Sequence, residues 1–170
     1  METVDIDDID AVPHFLGANS HRKPLARAVE EMDFACTYFE LEPGDSFSGG
    51  LHTHTDQEEL FLVLEGTATF ETAAGPGAER ETVAVGPEGA IHFEAGGAFQ
   101  QGRNETDSVV RGFALGVPGS RHEWAETEAL LECPECEAER VFEFDPDDED
   151  ERMPDPTDVV TACSVCGHQV

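Results

Sequence analysis

The chain has 170 residues, with 38 Asp and Glu against nine Lys and Arg, so its formal net charge is −29. That length suits one domain plus an appendage, and 39% hydrophobic residues with 11 Phe are enough to build a core, which argues against whole-chain disorder. The charge argues equally against nucleic acid or an anionic membrane as partner, because phosphate binding takes clustered cations and Lys23 is the one lysine.

In chain order, the first ten residues carry Glu2, Asp5, Asp7, Asp8 and Asp10 where an export signal would be basic. The longest apolar run, Leu60–Leu64, falls far short of the ~18 residues a membrane span needs. A cytoplasmic, non-membrane protein is the expectation. A lysine-poor acidic surface also has the composition of proteins from salt-in halophiles, in which high salt screens the self-repulsion. Residues 1–31 read as a loosely attached N-terminal arm broken by Pro13, Gly17, Asn19 and Pro24, with a short helical patch from Leu25 to Glu31. Residues 32–118 change to short β-type runs: Phe34–Leu41, Leu60–Leu64, Thr67–Thr72, Thr82–Val85, Ala90–Phe93 and Val109–Val117. Turn signals such as Pro43-Gly44, Gly75-Pro76-Gly77 and Gly96-Gly97 lie between them, the pattern of an antiparallel sandwich or barrel. Residues 119–132 read as a linker or short helix. Residues 133–170 form a cysteine-bearing module, in which Arg140–Phe144 alternates like a strand and 145–158 is an acidic loop expected to stay in solvent.

The stretch Leu51-His52-Thr53-His54-Thr55-Asp56-Gln57-Glu58-Glu59 holds the densest chemistry. In extended chain His52 and His54 face one side and can offer imidazole nitrogens to one cation. With a carboxylate they make a two-His, one-carboxylate set that suits Fe and accepts Mn, Ni or Zn. Glu59 follows His54 after four residues and Gly66 follows Glu59 after six, which favours Glu59 over Glu58 as that carboxylate. His92 shares strand parity with Glu94 and reads as a surface residue, whereas Gln101 and Arg103 flank Gln100 and could either reach an anionic substrate at the barrel mouth or lie on an exposed face. Cys36 reads as a buried apolar residue.

These spacings resemble the first motif of the cupin superfamily, Gly-(x)5-His-x-His-(x)3–4-Glu-(x)6-Gly, with its leading glycine displaced to Gly44. The second cupin motif aligns without gaps on Gly89, Ala95, Gly97, Gln100 and Asn104, with Ala95 in place of proline and Gln100 in place of the last histidine. The resemblance covers about residues 34–118. It implies an all-β, double-stranded β-helix (a cupin jelly roll), a transition metal held by His52, His54, Glu59 and Gln100, a small-molecule ligand contacted by Gln100, beside which Arg103 is the further candidate, and a homodimer. A neutral amide at position 100 is a weaker donor than imidazole toward first-row transition metals, which sets this chain apart from a three-His cupin.

Near the C-terminus, Cys133-Pro134-Glu135-Cys136 and Cys163-Ser164-Val165-Cys166-Gly167 stand 26 residues apart. Two such knuckles supply the four thiolates of a structural zinc. They resemble a zinc ribbon, with Glu137 where the first knuckle usually has glycine. Two functions follow from this much. One is a metal-dependent enzyme of dioxygenase or isomerase type acting on a small organic substrate, with no catalytic residue assigned beyond the ligand set. The other is a non-catalytic metabolite- or metal-sensing module whose ribbon docks a protein partner.

Overall fold

The structure, a computed structural model, describes residues 1–14, 17–29, 32–121, 123–146 and 159–170. Its strands are β1 (His21–Pro24), β2 (Ala35–Leu41), β3 (His52–His54), β4 (Glu58–Glu65), β5 (Ala68–Ala73), β6 (Glu81–Val85), β7 (Ala90–Phe93), β8 (Phe99–Arg103), β9 (Val110–Val117), β10 (Thr127–Cys133), β11 (Ala138–Pro146) and β12 (Val159–Cys163). They form two antiparallel sheets, one ordered β1-β2-β9-β4-β7 and the other β12-β11-β10-β3-β8-β5-β6. This is the all-β jelly roll expected, with two faces closing on one core.

The alternation of each strand decides what enters that core. Phe39 and Leu41 of β2, Phe61 and Val63 of β4 and Val110 of β9 meet Ala68 and Phe70 of β5 and Val85 of β6. Phe47, in the connection between β2 and β3, plugs the centre: its ring lies 5.0 Å from Phe39, 5.2 Å from Phe61 and 5.8 Å from Phe70, centroid to centroid. Such pairs add about 0.5–1.5 kcal/mol each beyond their buried area.

Gly66 and Asn104 of the two sequence motifs, and Gly102 between them, serve this frame. Gly66 turns β4 into β5 at φ +76°, and a Cβ there would meet the Val109 carbonyl oxygen at 2.6 Å. Gly102 lets β8 pass over the Phe70 ring, which a Cβ would approach to 2.5 Å. Asn104 is fully buried, and its Nδ2 donates to the carbonyls of Leu41 (2.9 Å) and Ser108 (2.7 Å). Its Oδ1 accepts from the Thr106 N–H (3.0 Å), so one amide ties the end of β2 to the turn before β9.

Three expectations change. The N-terminal arm is held more closely than a loose arm would be: β1 pairs with β2, Lys23 Nζ donates to the Ile6 carbonyl (3.0 Å), and buried Asn19 donates to the Ser46 carbonyl (2.7 Å). The helical patch is a single 3-10 turn at Leu25–Arg27, with Glu30 and Glu31 outside the described residues. Residues 119–132 contain a 3-10 turn at Trp124–Glu126 and then β10, which pairs with β3 through Thr127, Glu128 and Ala129 and with β11 from Glu128 to Cys133. The acidic loop expected at 145–158 lies, from residue 147 onward, outside the described residues.

Gly66→Ala, which forces a side chain into the left-handed region against a carbonyl, is expected to destabilise the fold by roughly 1–3 kcal/mol. Asn104→Ala leaves two carbonyls without their donor and is expected to cost about 1–3 kcal/mol. Urea or thermal unfolding of each variant measures both.

Candidate metal centre and its cavity

β3 and β4 face one another across the barrel, and each sends alternate residues inward. From β3 come His52 and His54, and from β4 comes Glu59, while its neighbour Glu58 points outward and accepts from His92 at 2.6 Å. The ligating atoms of His52, His54 and Glu59 lie within 4.8 Å of one another. His52 Nε2 stands 3.9 Å from Glu59 Oε2 and His54 Nε2 3.8 Å from Glu59 Oε1.

The hydrogen bonds behind the imidazoles select the tautomer of each neutral ring. His52 Nδ1 lies 3.1 Å from the Gly50 carbonyl, which can only accept, so Nδ1 carries the proton and Nε2 turns its lone pair inward. His54 Nδ1 lies 3.0 Å from Thr127 Oγ1, and that hydroxyl donates its one proton to the Glu123 carbonyl (3.3 Å). The His54 Nδ1 must therefore donate to Thr127, and its Nε2 also turns a lone pair toward Glu59. Burial pushes the Glu59 carboxyl above its ordinary value, opposed by His52 and by the hydrogen bond from Gln100.

Two basic nitrogens and a carboxylate converging at these separations fit a divalent transition metal: donors at roughly 2.0–2.2 Å from one ion stand about 3–4 Å apart. Gln100 of β8 pairs with His52 in register and is almost wholly buried. Its Nε2 donates to Glu59 Oε2 at 2.6 Å and lies 3.4 Å from His52 Nε2, while its Oε1 is buried with no hydrogen-bond partner among the described residues. The amide nitrogen is thus the Gln100 atom turned toward Glu59 and His52, and coordination of a cation by its oxygen would require the amide to turn over.

A cavity of about 590 Å³ opens over the triad, a size ordinary for small-molecule sites. Phe39, Phe47 and Phe61 line it, as do Thr37 and Ala114 of the first sheet. Thr127, Ala129 and Leu131 of β10, Phe144 of β11 and Thr161 of β12 extend the lining. The cysteine module thus contributes to the same cavity. Arg103 does not line it: one residue in two faces inward along β8, so with Gln100 inside, Gln101 and Arg103 share the outer face. There the Arg103 guanidinium donates to Glu71 (3.2 Å) and Gln101 (2.8 Å).

Other residues lining the cavity carried no signal in the sequence. Arg22 and Arg27 come from β1 and the turn after it, His14 from the arm, and Arg121 from the loop after β9. Gln57, 3% exposed, clamps that loop, with Nε2 donating to the carbonyls of Pro118, Gly119 (3.0 Å) and Arg121 (2.7 Å). Only the pairing of distant strands brings these residues together. Cys36 is buried, and burial pushes its thiol up.

The four remaining cysteines form a second cluster, with Cys133 ending β10 and Cys163 ending β12. All four Sγ atoms lie within 4.8 Å, Cys133 and Cys166 at 3.6 Å, and all are free thiols. Tetrahedral thiolates at about 2.3 Å from zinc stand near 3.8 Å apart. Both turns place the residue after the second cysteine in the left-handed region, Gly167 at φ +72° and Glu137 at φ +49°.

Residues 37–116 match the family model described as Cupin domain. Among solved structures the chain is similar to a sugar phosphate isomerase of the cupin superfamily from Silicibacter pomeroyi, at 22% identity over 96% of this chain and 88% of that one, with a TM-score of 0.57. It is also similar to a putative sugar phosphate isomerase from Acidithiobacillus ferrooxidans, at 18% identity over 80% and 78% of the two chains, with a TM-score of 0.57. A third, from Thermus thermophilus, has 20% identity over 69% of this chain and 98% of that chain, with a TM-score of 0.51. These likenesses establish the fold. No curated protein matches the sequence.

Thr127→Val removes the acceptor that fixes His54 and is expected to weaken binding of a titrated divalent metal by roughly 10- to 100-fold, whereas His92→Ala leaves it unchanged; competition with a chromophoric chelator reads both. Glu137→Gly relieves a left-handed side chain and is expected to raise stability by up to about 1 kcal/mol in thermal unfolding.

Proposed function

With residues 37–116 forming a cupin domain as the premise, we propose that this protein is a metal-dependent enzyme acting on a small organic substrate, of isomerase or dioxygenase type. The single observation that carries the reading is the shared tautomer of His52 and His54, each with Nδ1 tied to a fixed acceptor and Nε2 directed at Glu59. His52, His54 and Glu59 would hold an Fe, Mn, Ni or Zn ion, with Gln100 as the group that orients substrate or, with its amide turned over so that Oε1 faces the ion, as fourth donor. When bound, the ion supplies a Lewis acid with open positions for substrate or dioxygen.

The chain's own residues account for the remainder of the site. Glu59, its carboxyl raised by burial, holds the Gln100 amide in one orientation. Phe39, Phe47 and Phe61 present hydrocarbon to the substrate and limit water. Two fold neighbours are named as sugar phosphate isomerases, and the isomerase version is the one we put first.

Cys133, Cys136, Cys163 and Cys166 would hold a structural zinc, closed to substrate. The placement of β10 to β12 in the cavity lining supports a service role for this module at the same site, in preference to a detached dock for a partner protein. The reading also takes the chain as a homodimer, which light scattering tests directly.

Metal analysis on the purified chain is expected to give about two metals per chain. His52→Ala should lower this by one, and Cys163→Ser should remove the thiolate-bound ion. A native chain that holds only the four-cysteine ion, while Gln100→His gains a second, would overturn the enzyme reading.

A further inference from the structure

The four-cysteine module has almost no core of its own. Its buried cluster is Cys133, Phe142 and Cys163, with Leu131 and Cys136 packed against them, so three of these five side chains are the candidate zinc ligands. Phe142 and Leu131 alone bury too little to hold three strands, and a module of that size takes its stability from the ion that draws its thiolates together. The order of the strand ends around Cys133, Cys136, Cys163 and Cys166 therefore follows the occupancy of that site.

β10 carries this dependence to the histidines. Cys133 ends the strand and Thr127 begins it. Thr127, Glu128 and Ala129 pair with His54, Thr53 and His52, and the ladder runs past both ends of β3: the Thr55 N–H donates to the Glu126 carbonyl (2.7 Å) and the Leu130 N–H to the Leu51 carbonyl (3.0 Å). On its other edge β3 meets β8 at one register position, His52 with Gln100. A shift of β10 takes the Thr127 hydroxyl away from His54 Nδ1 and frees that ring to turn or to change tautomer. The same module forms part of the cavity wall through Leu131, Phe144 and Thr161.

Contacts on the other face of this sheet limit the effect. Leu130 and Val141 pack with Leu51, Phe99 and Ala73, while Glu139 accepts from the Gly77 N–H (2.8 Å) and pairs with Arg80. None of these contacts involves a cysteine, so β10 loosens from its Cys133 end without leaving the sheet. We propose that an ion in the four-cysteine site regulates the imidazole centre: its binding tightens the β3–β10 ladder, fixes His54 through Thr127 and raises the affinity of His52, His54 and Glu59 for their own metal. The coupling rests on the reading of both donor sets as metal sites, and linkage makes it reciprocal.

Hydrogen exchange reads the ladder without reference to the triad. The purified full chain is stripped with a chelator under reducing conditions and one equivalent of zinc is returned, which four thiolates take ahead of imidazole and carboxylate. The Thr55 and Leu130 amides are expected to exchange roughly tenfold more slowly with zinc than without it, while amides of the β2–β9 ladder keep their rates. Manganese(II), an ion with little affinity for thiolate, then reports on the triad through the loss of its free EPR signal, and is expected to bind about tenfold more tightly to the zinc-loaded chain. Cys166→Ser, at the exposed ligand, is expected to abolish both responses.

Zinc-independent exchange at Thr55 and Leu130 would overturn the proposal, as would measurable but equal manganese affinity with and without zinc, or a loss of protection on stripping that extends equally to β2 and β9. A native chain that takes no zinc sinks the four-cysteine reading and the coupling together. The imidazole centre fails separately: manganese that binds neither form, while the ladder responds to zinc, sinks that centre and leaves the strand coupling standing.

Discussion

The pairing of β10 with β3 is the contact on which the candidate site depends. β3 is three residues long and meets β8 at a single register position, His52 with Gln100. On its other edge β10 pairs with all three of its residues, placing Thr127 beside His54 and Ala129 beside His52. A three-residue strand held at one position could twist or slip, and a slip of one residue would turn both histidines out of the barrel. β10 prevents that and adds the hydroxyl that orients His54. The cysteine module is thereby part of the same sheet as the histidines, and its stability bears on their geometry.

Much of this was legible in the sequence because it is local. The two-residue spacing of His52 and His54, the interval to Glu59 and the Cys-x-x-Cys pairs are short-range patterns, and strand alternation or a tight turn converts each into geometry. Gly66, Gly97 and Asn104 were likewise visible, since turns and close backbone approaches demand those residue types. What escaped is non-local. Thr127 lies 73 residues from the histidine it orients, and nothing in its neighbours marks it. Arg22 reads as one cation in an irregular arm until β1 is placed against β2. Arg103 is the reverse case: adjacency to Gln100 in sequence left the cavity and an exposed face both open, and alternation puts it on the outer face with Glu71.

The charge of the chain is partitioned by the fold. Among the described residues, carboxylates gather on outer faces, where water and paired arginines accommodate them, and the cavity is lined by one acidic side chain, Glu59, among aromatic rings and basic groups. A single buried carboxyl in such surroundings is costly in its charged form, and it is held by His52, His54 and the Gln100 amide. The net figure of −29 therefore describes the outside of the molecule and says little about its interior.

β10 runs from Thr127 to Cys133, so its two ends touch two donor sets of opposite chemical softness, roughly 20 Å apart at strand spacing. Nitrogen and carboxylate oxygen at one end suit harder or borderline ions, and four sulfurs at the other favour soft, thiophilic ones. Were both sets to take ions, one strand would carry two sites of different preference, with thiophilic cations favoured at the cysteine end and harder or borderline ones at the imidazole end.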